Sequence, residues 1–168
     1  MPGAPTSDPA DLGPRLGLHD LLLGVDHVGI AVAELEPALA WWTGTLGLVV
    51  AHREENHDQQ VVEVMLASGP GTTGATTQLQ LLAPLSDASA VARFLVRRGP
   101  GLQHVAFVVA DLTLASARLT ARGGRLLYPE GRTGTSGSKI NFIHPRDAGG
   151  VLVELVEPSS FPGIAGRD

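Results

Sequence analysis

The sequence predicts an α+β fold built from two βαβββ modules, and three observations lead to it. DHVGIAVAELEPALAWWTGTLG (26–47) lies over QHVAFVVADLTLASARLTARGG (103–124) without a gap. This sets His27 on His104, Val32 on Val109, Leu35 on Leu112 and Gly47 on Gly124, at a constant offset of 77 residues. Further along, QLLAP (80–84) matches ELVEP (154–158) at an offset of 74, so the copies differ by three residues in the loops between. In each copy, a stretch of alternating polarity passes into one of helical period and then into more alternating stretches. A period this long marks a duplicated half-domain, since solenoid units run to about 20–50 residues.

Taken in order, residues 1–23 read as a mobile N-terminal tail whose Pro, Gly and Asp content supports no core of its own. The first module, 24–85, opens with a strand at about 26–32 and a helix at about 34–46 that stops where Gly47 permits a left-handed cap. REEN, Arg53–Asn56, reads as a solvated turn that assigns no role to Glu54 or Glu55. VVEVMLA (61–67) and TQLQLLA (77–83) read as strands on either side of the hairpin loop SGPGTTGATT. Residues 86–99 form a linker helix, capped by Ser86 or Asp87 and ended by Gly99-Pro100.

The second module, 100–158, repeats the pattern: a strand at 103–109, a helix at 112–122 ended by RGGR, and strands in RLLYP (125–129), KINFIHP (139–145) and GVLVELVEP (150–158). Residues 159–168 are a C-terminal tail. The loop sequence GTSGSK lacks the full phosphate-loop spacing and runs into a strand, which excludes a nucleotide site of that kind. One of Trp41 and Trp42 should pack on the sheet, His144 reads as structural, and His19, His52 and His57 read as exposed.

At 168 residues and 43% apolar, the chain can bury one compact core, or two small modules sharing one. Its net charge of -5, with twelve Lys and Arg scattered along the chain, excludes a nucleic-acid partner or a polybasic membrane face and leaves a small molecule. With no cysteine there is no disulfide, thiolate nucleophile or thiolate metal ligand, so a metal centre must use His, carboxylate and amide groups. The N-terminal stretch has no basic start followed by an apolar run, and no later run reaches the ~18 apolar residues of a membrane span. These features read as a soluble, cytoplasmic protein.

The candidate site follows from the repeat. Gln78 and Gln80 fall on the same side of an otherwise apolar strand, where a sheet needing only a core has no use for an amide. Gln80 and Glu154 hold matching places in the last strand of each copy, as His27 and His104 do in the first. If the modules pack about a pseudo-twofold axis, the four converge on one point. Two imidazoles and two oxygen donors suit a borderline or hard divalent ion and leave two positions of an octahedron free for substrate oxygens. Glu63, with apolar neighbours in VVEVMLA, faces either solvent or the interior. In the interior, desolvation raises its pKa towards the range of a general acid or base.

DHVGIAV, HREEN, VVEVMLA, QLQLLAPL, GPGLQHVAF, INFIHP and GVLVELVEP together resemble the vicinal oxygen chelate (glyoxalase-like) superfamily and, within it, the methylmalonyl-CoA epimerase family. The resemblance implies a metal-binding cup in which His27, Gln80, His104 and Glu154 hold a divalent metal, most often Co2+, with Mn2+, Ni2+ or Zn2+ as alternatives. It also implies that Glu63 and Glu154 are the acid/base pair, that the substrate is an acyl-CoA thioester, and that the protein is a homodimer. Gln60 departs from the pattern, standing where such sequences commonly have glycine. Arg132, Lys139 and Arg146 are basic candidates for the CoA. Two other readings share the fold: a glyoxalase I-like isomerase acting on a thiol adduct, and a non-enzymatic small-molecule-binding protein.

Overall fold

In the computed structural model, which describes residues 17–69 and 77–160, the two copies share one eight-stranded sheet. The first copy comprises β1 (Leu22–Ala31), α1 (Leu35–Leu46), β2 (Val49–Asn56), β3 (Val61–Ala67) and β4 (Gln78–Pro84). After α2 (Ala90–Arg98), the second comprises β5 (Gly101–Val109), α3 (Leu112–Ala121), β6 (Arg132–Thr133), β7 (Lys139–Ile143) and β8 (Val153–Glu157). The strand order is β2-β3-β4-β1-β5-β8-β7-β6, the same path run outwards twice from the centre. In each copy the first and last strands pair in parallel, β1 with β4 and β5 with β8, and the copies join through the antiparallel pair β1–β5.

Alternation along the strands decides what each face of the sheet meets. On the outer face of the first copy, Val64, Leu66, Leu79 and Leu81 pack against Leu35, Ala38, Leu39 and Trp42 of α1. In the second, Val109 and Leu155 pack against Leu112, Ala115 and Leu119 of α3. The inner, concave face carries the intervening residues, among them Gln80, Leu82 and Glu63, and α2 closes one end of it through Val91, Phe94 and Leu95 against Val61 and Leu82. Trp42 is the tryptophan that packs on the sheet, while Trp41 is 52% exposed.

Several elements depart from the sequence reading. REEN is not a turn: it is the end of β2, paired antiparallel with β3 so that Glu54 faces Glu63 across the ladder. RLLYP is not a strand. Leu126 makes a single bridge to Ile143, after which the side chain of Asn141 takes over the backbone of Tyr128, accepting from its N–H at 3.3 Å and donating to its C=O at 3.0 Å. A side chain that captures both backbone groups ends the ladder there. The paired strand at this edge is instead the two-residue β6, just ahead of the GTSGSK sequence.

The tail boundary at residue 23 falls too late, because Leu18 and Leu21 pack into the α3 core and Arg118 donates to the Gly17 carbonyl at 3.2 Å. Most of SGPGTTGATT lies outside the described residues, as do residues 1–16 of the N-terminal tail and 161–168 of the C-terminal one.

The linker helix begins later than expected. Its cap is Ser89, not Ser86 or Asp87, and the Ser89 hydroxyl accepts from Ala92 N–H at 2.9 Å. Ser89 is buried, so losing that hydroxyl leaves the N–H without its partner. Ser89→Ala should lower stability by about 1 kcal/mol while Ser89→Asp retains most of it, as measured by denaturant midpoints.

Candidate active site

The register across the β1–β5 junction builds the site. Gly29 lies opposite His104 and His27 opposite Ala106, while Gly29 also neighbours Gln80 on β4 and Ala106 neighbours Glu154 on β8. The sheet therefore carries two short rows, Gln80–Gly29–His104 and His27–Ala106–Glu154, related by the pseudo-twofold. A small residue stands at the centre of each row because a ring must lie over it. A Cβ on Gly29 would come 2.0 Å from the His104 ring.

His27, Gln80, His104 and Glu154 are all buried. The two imidazole Nε2 atoms lie 3.0 Å apart, and the Glu154 carboxylate is 3.3 Å from His27 Nε2 and 3.0 Å from His104 Nε2. Each ring is oriented from behind by the residue preceding it. His27 Nδ1 donates to Asp26 at 2.7 Å, and His104 Nδ1 donates to Gln103. These bonds place hydrogen on both Nδ1 atoms, so both Nε2 atoms face the carboxylate and each other.

Three electron-rich atoms so close together, away from water, call for a cation. Burial works against a charge on His27, but the carboxylates of Asp26 and Glu154 outweigh it and raise its pKa to about 9. Burial likewise opposes the Glu154 charge, yet His104 and His27 hold that carboxyl down at about 2. A proton on His27 thus partly meets a demand that a divalent metal would meet fully. The nitrogen and oxygen donors of His27, His104 and Glu154 all fall within 4.8 Å of one another, which suits such an ion.

Gln80 fits the same purpose through its orphaned oxygen. Its Nε2 donates to Glu63 at 3.0 Å and to the Thr135 hydroxyl at 3.2 Å, whereas its Oε1 is buried with no hydrogen-bond partner. An unsatisfied buried carbonyl costs about 1–3 kcal/mol, so a site that retains one is shaped for a ligand to it.

Glu63 faces inwards and is 2% exposed. Burial, its largest influence, pushes its carboxyl up to about 7; the Thr135 hydroxyl, donating at 2.8 Å, opposes this, and the neighbouring Glu54 carboxyl adds to it. Glu63 and Glu154 line one cavity of about 320 Å³, reached past α2, Tyr128 and Leu152. The duplication is broken here: Ile140 pairs with Val156 in the second copy where Glu63 pairs with Leu82 in the first.

Sequence reasoning overlooked four side chains around the site: Asp26, Gln103, Thr135 and Glu54. The first two carried a signal, since each immediately precedes a repeated histidine; the others depend on a loop and an edge strand. Of the basic candidates, Arg132 lines the cavity mouth, its guanidinium 4.0 Å above the Tyr128 ring, and Arg93 joins it there. Lys139 is paired with Glu157 at 2.8 Å, and Arg146 lies in the turn 145–147, where its N–H donates to His144 Nδ1 at 3.1 Å. Gln60 adopts φ 56°, a left-handed conformation natural to glycine, and is held there by bonds from its Nε2 to the His57 carbonyl and from the Ser86 hydroxyl to its Oε1.

A family model described as Glyoxalase/Bleomycin resistance protein/Dioxygenase superfamily matches residues 26–142, and the chain belongs to that superfamily. The crystal structure of methylmalonyl-CoA epimerase from Mycobacterium tuberculosis is 51% identical, with a TM-score of 0.78 over 83% of this chain and 91% of that one. A Streptomyces coelicolor methylmalonyl-CoA epimerase variant in complex with 2-nitronate-propionyl-CoA is 40% identical, with a TM-score of 0.77 over 83% of this chain and 99% of that one. The ethylmalonyl-CoA/methylmalonyl-CoA epimerase of Cereibacter sphaeroides is 35% identical over 133 residues, 78% of this chain and 95% of its own length. Within the superfamily, the chain falls in the methylmalonyl-CoA epimerase family.

Two outcomes test the geometry. Gly29→Ala should displace the His104 ring and weaken retention of a divalent metal by at least about tenfold, read as metal content after dialysis against a graded chelator series. The second concerns pH. Folding raises the Glu63 pKa from 4.5 to about 7, so its protonated form stabilises the fold below about pH 4.5, and that contribution is lost as pH rises through about 7. At 1.36 kcal/mol per pH unit, the loss is about 3 kcal/mol at most. Glu63→Gln should therefore be more stable than the wild type at pH 8, with the difference shrinking towards pH 4.5 in denaturant titrations of metal-free protein.

Proposed function

We propose that the chain interconverts (2R)- and (2S)-methylmalonyl-CoA by moving the proton at C2. One observation carries this reading: two buried carboxyls, Glu63 from the first module and Glu154 from the second, share one cavity while their surroundings push their pKa values apart. Two carboxyls tuned in opposite directions form a proton donor and a proton acceptor at the same pH.

His27, His104, Glu154 and the orphaned Gln80 Oε1 would hold a divalent metal, Co2+ first and Mn2+, Ni2+ or Zn2+ as alternatives. When bound, it supplies Lewis-acid stabilisation for the negative charge that appears on the thioester oxygen as C2 loses its proton. The rest falls to the protein. Glu63 removes or returns a proton on one face of C2, and Glu154 serves the other, so that removal on one side and delivery on the other inverts the centre. The Thr135 hydroxyl and the Gln80 amide fix the Glu63 carboxyl by one oxygen each. Glu154 would then be both ligand and proton carrier.

The acyl-CoA thioester enters past Arg93 and Arg132, the cations lining the cavity, which suit its phosphates. A homodimer, implied by the family resemblance, and a cytoplasmic location, expected from the sequence features, complete the proposal. Among the described residues, no helix is long and apolar enough to cross a membrane.

In deuterium oxide, the protein should incorporate deuterium at C2 of methylmalonyl-CoA. Chelation should abolish the exchange and added divalent metal restore it. Glu63→Gln should lower it by about 10²- to 10⁴-fold while still binding 2-nitronate-propionyl-CoA. Wild-type exchange in that variant would overturn the assignment of Glu63.

A further inference from the structure

Behind Glu63, a second line of groups leads out of the cavity. Glu54 lies directly opposite Glu63 in the β2–β3 ladder, so the two carboxyl side chains stand side by side on one face of the sheet. On its far side, the Glu54 carboxylate meets His52 Nε2 at 2.6 Å and accepts from the Ser136 N–H at 3.4 Å. His52, Glu54 and the buried Asn56 sit at alternate positions of β2 and share one face. Exposure grows along the line: Glu63 is 2% exposed, while the side chains of Glu54 and His52 are 29% and 37% exposed. Glu54 also lines a separate, open recess of about 280 Å³ between β2 and the turn at Thr133–Gly137, with Glu55, His57 and Asp58 at its rim. Glu63 lines the reaction cavity on the other side of this wall.

We infer that Glu63–Glu54–His52 is a proton relay through the wall of the cup, connecting the proton taken from substrate to solvent without opening the cavity. A proton delivered to the Glu63 carboxylate passes to Glu54 and from Glu54 Oε2 to His52 Nε2. The imidazolium then gives a proton to water, restoring each group, and the reverse sequence reloads Glu63. No other bond is made or broken. Glu154 lies on a separate line: His27, 3.3 Å from its carboxylate, donates from Nδ1 to Asp26, whose side chain is 33% exposed. The two proton carriers would therefore exchange with water by separate routes. Glu54 and His52 touch no substrate in this scheme; they replenish the group that does.

The inference rests on the proposed C2 chemistry, and an isotope experiment separates the two. Each enantiomer of methylmalonyl-CoA, deuterated at C2, is offered to metal-loaded enzyme in ordinary water. The fraction of abstracted deuterium carried back into the substrate pool is then followed by mass spectrometry. In the wild type, nearly all of it should be lost to water. Glu54→Gln and His52→Gln should return severalfold more deuterium, and only with the enantiomer whose C2 hydrogen faces Glu63. Free imidazole should restore the loss in His52→Ala. A variant that merely misplaced Glu63 would slow turnover without altering the fate of the deuterium taken up. Complete loss in both Gln variants, equal retention from both enantiomers, or failure of imidazole rescue would each overturn the relay. No C2 exchange in the wild type would overturn the proposed function instead.

Discussion

The site depends on the antiparallel pairing of β1 with β5. That pair brings His27 and His104 to adjacent strands on one face and lets their Nε2 atoms approach to 3.0 Å. The approach is possible only because Gly29 offers no side chain beneath the His104 ring. A slip of one residue between these strands would turn one of the two imidazoles to the outer face, since strand side chains alternate. The apolar outer face guards against such a slip: Leu79, Leu81 and Leu155 are committed to α1 and α3, so moving the histidines would also expose the core.

The interior face has polar requirements that the packing itself must meet. Four potential ligands and Glu63 lie buried there, and most of their polar atoms are bonded to one another or to Asp26, Gln103 and Thr135. The exception, Gln80 Oε1, marks where the protein is incomplete alone. Charges too are balanced locally, with the Glu154 carboxylate set against two imidazoles. The cost of burying these groups is thus met by the arrangement that would capture a cation.

How much of this could be read from the sequence depended on whether a feature was repeated. His27 with His104, and Gln80 with Glu154, were visible because duplication printed each position twice, at offsets of 77 and 74. Glu63 had no copy and so remained undecided between solvent and interior until β3 was seen with its neighbours on both sides. Glu54 was misread because a half-buried face made of His52, Glu54 and Asn56 has the period of a strand but not the hydrophobicity by which strands are recognised. RLLYP failed for the opposite reason: it has strand composition, but the Asn141 side chain, distant in sequence, occupies the backbone groups a ladder would need. Local composition carries no trace of such long-range capture.

The place of Glu63 is taken in the second copy by Ile140, and that of Gln80 by Glu154. Two identical halves associating as separate chains would be obliged to carry the same residue at both positions, and every change in one would be forced on the other. Joining them in a single polypeptide lifts that obligation. It permits a nearly symmetric cradle with a deliberately lopsided interior, suited to a molecule whose mirror-related forms must be handled from two different sides.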